Sequence, residues 1–363
     1  MKKLLTGALL LVLTIVLCTG CSADKGTNDY NKGIVAMKSG NYEEACKLLG
    51  TAISKNTEEP LYYINYATTL VQLKRYGEAV SSYQKAITSG EDENKENNKR
   101  AYRGLGIAYY YQKKYDDAQK NLEKSINIGE LPELNLDAYL YLGAVQEIKG
   151  DMKGAYTTYG SALSLDDTKI SAYVGRYKSE IALGKYEQAD DTLDKGLNQT
   201  PSTTEDKYMY ARLQFYTGEY EEATATLEEV KDTYPESYMY LGEIYSQNKK
   251  YDQAIETFQT YIEKSGADES IQLCTYISDC YIKLEKYKKA MTWIEKGIAM
   301  KGTDTELENL RFSQVTVYEQ LDELQKAYDC VEEYATLYTK DDRFLNKLKE
   351  LEKNPAITAK VTR

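Results

Sequence analysis

One phrase, repeated nine times, constrains this chain more than anything else in it. It reads GNYEEA at 40–45, KRYGEA at 74–79, KKYDDA at 113–118, GKYEQA at 184–189, GEYEEA at 218–223, KKYDQA at 249–254 and EKYKKA at 285–290. Two weaker copies, GDMKGA at 150–155 and DELQKA at 322–327, replace the tyrosine with Met152 and Leu324. The closing alanines are Ala45, Ala79, Ala118, Ala155, Ala189, Ala223, Ala254, Ala290 and Ala327, at spacings of 34, 39, 37, 34, 34, 31, 36 and 37. A chain with such a period stacks small units against their neighbours and does not wrap one central core.

Each copy carries the same packing instructions. Four residues after the alanine stands a large side chain: Leu49, Tyr83, Leu122, Tyr159, Leu193, Leu227, Phe258, Ile294 or Val331. Three further on the residue is often small, as at Ala52, Ala86, Ser125, Ala162, Gly196 and Gly297. Twelve before the alanine it is small again, as at Gly33, Ala67, Gly106, Gly143, Ala211, Gly242 and Ser278. Small residues at fixed places let two antiparallel helices approach, the large residue fills the gap on the same face, and the Gly or charged turn before the tyrosine ends the first helix. Only five prolines interrupt the chain, which leaves long stretches free for helix.

This pattern resembles the tetratricopeptide repeat, over about residues 26–340; an ordinary helical bundle would have to reproduce the period by accident. The resemblance implies an all-α, right-handed α-solenoid superhelix of about nine helix-turn-helix repeats spanning 30–340. Tyr177 and Val315 depart from the early small position, and Val230, Tyr261 and Tyr334 from the late one. The spacing of 39 is assigned to a polar loop, EDENKENNK at 91–99, and that of 31 to a shortened link at Thr233-Tyr234-Pro235. Residues 341–353 read as a polar capping helix with Phe344, Leu345, Leu348 and Leu351 turned inward, and 354–363 as a flexible tail. The scaffold also absorbs many of the 36 tyrosines: Tyr63, Tyr102, Tyr139, Tyr173 and Tyr238 lie sixteen before an alanine, Tyr109, Tyr245, Tyr281 and Tyr318 nine before. All nine are expected in the core.

The N-terminus has a different grammar. MKKLLTGALLLVLTIVLCTGC has two lysines, an apolar run of about ten residues and small residues before a cysteine, the layout of an export signal over 1–20 and too short to span a bilayer. Its end, Leu17-Cys18-Thr19-Gly20-Cys21, resembles a bacterial lipobox, departing from it at Cys18. That resemblance implies lipidation of Cys21, a lipidated tether over 21–29 and attachment to the extracytoplasmic face of a membrane; an ordinary cleaved signal or an uncleaved anchor are the alternatives.

Chemistry is sparse. The chain has no histidine, which removes imidazole as base, nucleophile or metal ligand. Gly104-Leu105-Gly106 lacks the third glycine of a dinucleotide loop, Gly184-Lys185 lacks the upstream glycine of a phosphate loop, and no G-x-S-x-G elbow occurs. Asp92, Asn94 and Glu96 imitate a calcium loop, but Asn97 stands where Gly is needed and Arg103 where the closing Glu belongs. Pairs such as Glu43/Glu44, Asp116/Asp117 and Glu221/Glu222 recur at one repeat position, as first-turn acids favoured by the helix dipole. Cys46, Cys274, Cys280 and Cys330 read as apolar fillers without disulfides. No cofactor, no metal and no enzymatic activity is expected. A net charge of −11 disfavours nucleic acid, and removal of Lys2 and Lys3 with the signal leaves 44 basic against 57 acidic residues, or −13.

The repeat resemblance implies that the first helices line a concave groove for a protein or peptide partner. Helical phase places Arg100, Arg103, Ile107, Tyr110 and Tyr111 there in the third repeat, and Tyr208, Arg212, Phe215 and Tyr216 in the sixth. Exposed aromatics beside arginine are the composition of binding hot spots, and on an acidic chain such islands suit a carboxylate-bearing partner. The leading expectation is a non-catalytic, membrane-anchored scaffold lipoprotein holding a cell-envelope protein. The alternative is a solute- or glycan-binding lipoprotein associated with a transporter.

Overall fold

The structure, a computed structural model, describes residues 25–87, 94–265, 270–355 and 357. The expected export signal and Cys21 lie outside them. Among the described residues all regular structure is helical. First and second helices alternate: α1 (Thr27–Lys38) and α2 (Tyr42–Lys55), α3 (Pro60–Gln72) and α4 (Tyr76–Ala86), α5 (Lys95–Tyr111) and α6 (Tyr115–Asn127), α7 (Asn135–Ile148) and α8 (Met152–Leu165), α9 (Ile170–Ala182) and α10 (Tyr186–Leu197). α11 (Thr204–Thr217) closes the first of two compact units, residues 1–217. The second, 218–363, holds α12 (Tyr220–Val230), α13 (Ser237–Gln247), α14 (Tyr251–Ser265), α15 (Ile271–Lys283), α16 (Tyr287–Ile298), α17 (Asp304–Gln320), α18 (Leu324–Leu337) and α19 (Asp342–Glu352).

Every recurring phrase starts a second helix at its tyrosine, or at Met152 or Leu324. Two residues earlier the backbone is left-handed in all nine copies, at Gly40, Lys74, Lys113, Gly150, Gly184, Gly218, Lys249, Glu285 and Asp322, with φ between 56° and 82°. At eight of them, Gly218 aside, that residue closes the first helix by a paired hydrogen-bond turn. In the third copy Lys114 N–H donates to the Tyr109 carbonyl at 3.0 Å and Lys113 N–H to Tyr110 at 2.9 Å.

The alanines are all fully buried, and the large residues four positions later are 0–6% exposed. The reason for the small partner residues is direct contact. A Cβ on Gly106 would stand 2.6 Å from Leu122 Cγ, and one on Gly242 2.5 Å from a Phe258 ring carbon. Cys46, Cys274 and Cys280 are buried and Cys330 partly so, all as free thiols.

Several expectations need correction. Residues 94–99 are not loop: Asn94 precedes α5, whose first turn buries Asn98 and Lys99. Lys99 is driven there because its Nζ reaches the Ile128 carbonyl at 2.7 Å while Ser125 Oγ donates to its own carbonyl, so a lysine stem packs under the 128–134 connection. Thr27–Asp29, read as tether, form the first turn of α1. Of the tyrosines expected in the core only Tyr173 is buried, at 6%; the others are half-buried. Their phenols keep one end in water, and a lysine ammonium covers several rings, as Lys124 does Tyr102 at 4.9 Å. Ile357, placed in the flexible tail, is 2% exposed.

Candidate interaction site

Successive first helices of the first unit pack side by side, α3 on α5, α5 on α7, α7 on α9 and α9 on α11. Their shared face carries the residues singled out from the sequence, but not as a row of free arginines and exposed rings. Arg103 is 7% exposed, and its Nη1 donates to Asp137 Oδ2 of α7 at 2.8 Å. It is an inter-helix strut and not an accessible positive island. Ile107 is buried. Arg100 is half-buried nearer α1, where Tyr30, Glu96 and Glu133 share its field and burial weakens its hold on the proton.

The end of α5 supplies the exposed part. Tyr111, 42% exposed, stacks on Tyr76 at 5.1 Å and shares a hydroxyl hydrogen bond of 3.0 Å with Tyr141 of α7. Tyr110 meets Tyr141 edge-on at 5.3 Å and Tyr111 at 5.5 Å. These are the geometries ring quadrupoles favour. Desolvation raises the Tyr111 phenol and raises Tyr141 well above its ordinary value.

α11, in the sixth repeat, packs on α9 and begins with an acidic turn. The Glu205 carboxylate acts on both Tyr111 and Tyr141 and is itself raised, first by desolvation, with Lys169 pulling the other way. Tyr159 of α8 donates to Glu147 at 2.7 Å, Lys178 pairs with that same Glu147, and Tyr110 and Arg212 both act on the Tyr159 phenol. Tyr110 of one expected cluster and Arg212 of the other therefore act on the same phenol, Tyr159. Tyr208 is buried beneath the Arg212 guanidinium, 5.7 Å from its ring centroid. Phe215 and Tyr216 pack elsewhere, with Tyr216 stacked on Tyr177 at 4.9 Å.

Sequence reasoning missed Tyr141, Asp137 and Glu205. A periodic signal for two of them exists: the position eighteen before the alanine holds Arg100, Asp137 and Glu205 in three copies. Among the described residues no group of three or more Cys, Asp or Glu is placed to hold a metal ion, and no helix is long and apolar enough to cross a membrane. A separate shallow cleft of about 600 Å³ is lined by Gly50, Tyr63, Tyr66, Gly77 and Glu78, but Glu78 is already paired with Arg75 at 2.6 Å.

Known proteins agree with the repeat geometry. Family models described as tetratricopeptide repeat match residues 58–130, 208–269 and 271–304. The TPR repeat-containing protein YpiA of Bacillus subtilis (strain 168) is 26% identical over 219 residues, 58% of this chain and 50% of that protein, so the match spans half the length of the relative. Among solved structures, a monomeric mutant of IFIT1 with Gppp-AAAA aligns at 15% identity over 92% of this chain and 87% of that one, with a TM-score of 0.55, and so shares the fold. A tetratricopeptide repeat protein from Parabacteroides merdae ATCC 43184 aligns at 19% identity over 71% of this chain and 99% of that one, with a TM-score of 0.46.

Proposed function

Because this chain is a tetratricopeptide repeat protein, we propose that it is a non-catalytic scaffold holding a polypeptide partner against the first helices of its first unit. The observation that supports this most is the packing of Tyr76 of α4, Tyr110 of α5 and Tyr141 of α7 around the exposed Tyr111 ring, where aromatic side chains are held in place by one another. Rings fixed before binding lose little entropy on association, which is what a hot spot requires.

The same proposal places the scaffold on the extracytoplasmic face of a membrane, anchored by lipid on Cys21. An acidic chain gains nothing from anionic headgroups, so attachment must come from acyl chains, and more than one is needed for stable residence. Confinement to a surface raises the effective concentration of groove and partner without any further contact.

The test is crosslinking in cells, then affinity capture and mass spectrometry, comparing the wild-type chain with Tyr111→Ala. Tyr111 is the probe and not Arg103, since Arg103→Glu would set two carboxylates against each other in a buried site. A protein recovered with wild type and reduced at least tenfold with Tyr111→Ala supports the scaffold. Equal recovery removes the site from the account, and no recovery in either sample removes the scaffold.

A further inference from the structure

The first helix of the first repeat breaks a burial rule that every later copy obeys. Ten residues before the alanine, Thr69, Ala108, Val145, Ser179, Leu213, Ile244, Cys280 and Val317 are 0–1% exposed, whereas Val35 is 64% exposed. Seventeen before it, Tyr62, Ala101, Ala138, Ala172, Ser237, Leu273 and Leu310 are buried, whereas Asn28 is exposed. In later copies this face meets the copy before: Thr69 Oγ1 reaches Met37 Sδ at 3.3 Å, Cys280 Sγ lies 3.6 Å from Ser246 Oγ, and Tyr62 stacks on Tyr30 at 4.7 Å. Among the described residues no helix precedes α1, so its equivalent face is bare.

That face is basic. Asn28, Asn31, Lys32, Val35 and Lys38 are all exposed, three or four residues apart along one side of α1, and the exposed Lys25 stands just before the helix. The single acid of α1, Asp29, is taken by Lys55 of α2. Lys25, Lys32 and Lys38 make no ion pair among the described residues.

Resting on the lipid-anchor reading above, we propose that the exposed face of α1 is the surface this protein lays on the bilayer, with Lys25, Lys32 and Lys38 at the phosphates of anionic lipid headgroups and Val35 between the last two.

Three physical arguments carry it. The first is reach: from Cys21 to Lys25 is four residues, at most about 14 Å of extended chain, so an acylated Cys21 keeps the start of this face beside the headgroups. The second is charge. Attraction of lysine to an anionic surface fades within about 10 Å at ordinary salt, so it acts on the groups the tether holds close, while the acids that dominate the rest of the chain are repelled. The third is composition. A face made to dock a further repeat would keep the apolar residues of the later copies, yet Lys32 stands where they have Leu105, Leu142, Leu241 or Ile277. Aliphatic stems with charged tips around one valine suit a headgroup layer instead. The acyl chains hold the protein at the membrane; the lysines decide which face turns toward it.

The experiment is lysine footprinting of the full-length, lipid-modified chain in vesicles of phosphatidylcholine alone or of an equimolar mixture with phosphatidylglycerol. A water-soluble amine-acetylating reagent is added and the rate at each lysine is read by mass spectrometry, with the exposed Lys153 and Lys301 as controls. Flotation first establishes that the chain rides on both vesicles, and circular dichroism melts that each variant is folded. In the anionic vesicles Lys25, Lys32 and Lys38 should react about fivefold more slowly than in the neutral ones, the controls should not change, and high salt should remove the difference. In Lys32→Glu/Lys38→Glu the protection of Lys25 should disappear. A chain that floats with both vesicles and shows equal rates at the three lysines overturns the proposal and leaves the anchor standing. A chain that floats with neither removes the anchor and the proposal with it. Protection on native membranes but not on pure lipid assigns the face to a protein and also overturns the proposal.

Discussion

At the scale of single residues the packing code is a conversation between neighbouring copies. Tyr159 is held between two glycines: a Cβ on Gly143 would lie 2.7 Å from its ring and one on Gly175 2.2 Å from it. Tyr83 meets Gly104 of the following copy in the same way, at 2.2 Å. Where the large residue is tyrosine, the next copy thus has glycine fourteen positions before its alanine, and Gly104 is explained by Tyr83 and not by any nucleotide loop. Gly175→Ala should lower stability by about 1–3 kcal/mol, because the ring is walled in on both sides. Combined with Tyr159→Leu, the alanine should cost less than it does alone, and chemical denaturation of the four chains in a double-mutant cycle measures that coupling. A second residue-scale effect concerns Asp279 on α15, whose carboxyl desolvation raises from 3.8 to about 6, against the pull of Lys283. The folded state then holds that proton more tightly than the unfolded one, so the ionised group destabilises the fold above about pH 6, and the effect fades as pH falls through this window. Asp279→Asn should raise the melting temperature at about pH 8 and lose its advantage near pH 4, a small effect because the group still meets water.

At the scale of helices and turns, the nine left-handed residues show how little a turn depends on one amino acid. Gly fills four of the positions and Lys, Glu or Asp the other five. A side chain in this conformation costs about 1–2 kcal/mol, partly offset by the greater freedom glycine has in the unfolded chain. Lys113→Gly and Lys249→Gly should each stabilise by about 0.5–1 kcal/mol, while Gly184→Ala should destabilise by about 1 kcal/mol. Urea midpoints of the three variants check the signs. Insertions are the second lesson at this scale. The polarity of 91–99 reads as loop, yet the extra turn of α5 exists because the 128–134 connection offers it a carbonyl and a surface. A lysine that is fully buried by its stem and satisfied at its tip carries the same letter as a solvated one.

At the scale of the whole molecule, the proposed anchor and the proposed binding face lie in separate parts of the chain, and each can be removed alone. Cys21→Ser should abolish incorporation of a palmitate analogue and shift the protein from membranes to the soluble fraction, while leaving the thermal melt of the folded part unchanged. Loss of label without loss of membrane association would overturn the lipid anchor. Sequence periodicity by itself determined the nine second-helix starts, the nine buried alanines and the nine large residues packed beside them, because each of these depends on contacts within a repeat or with its neighbour. It likewise marked Tyr110, Tyr111 and Arg212 by helical phase. What it could not supply is which charges meet. Arg103 of α5 and Asp137 of α7 stand 34 residues apart in the chain and meet across neighbouring first helices, as Tyr111 and Tyr141 do. Such placements are set by the summed rotations of stacked helices, so only the tertiary structure decides that Arg103 is engaged by Asp137.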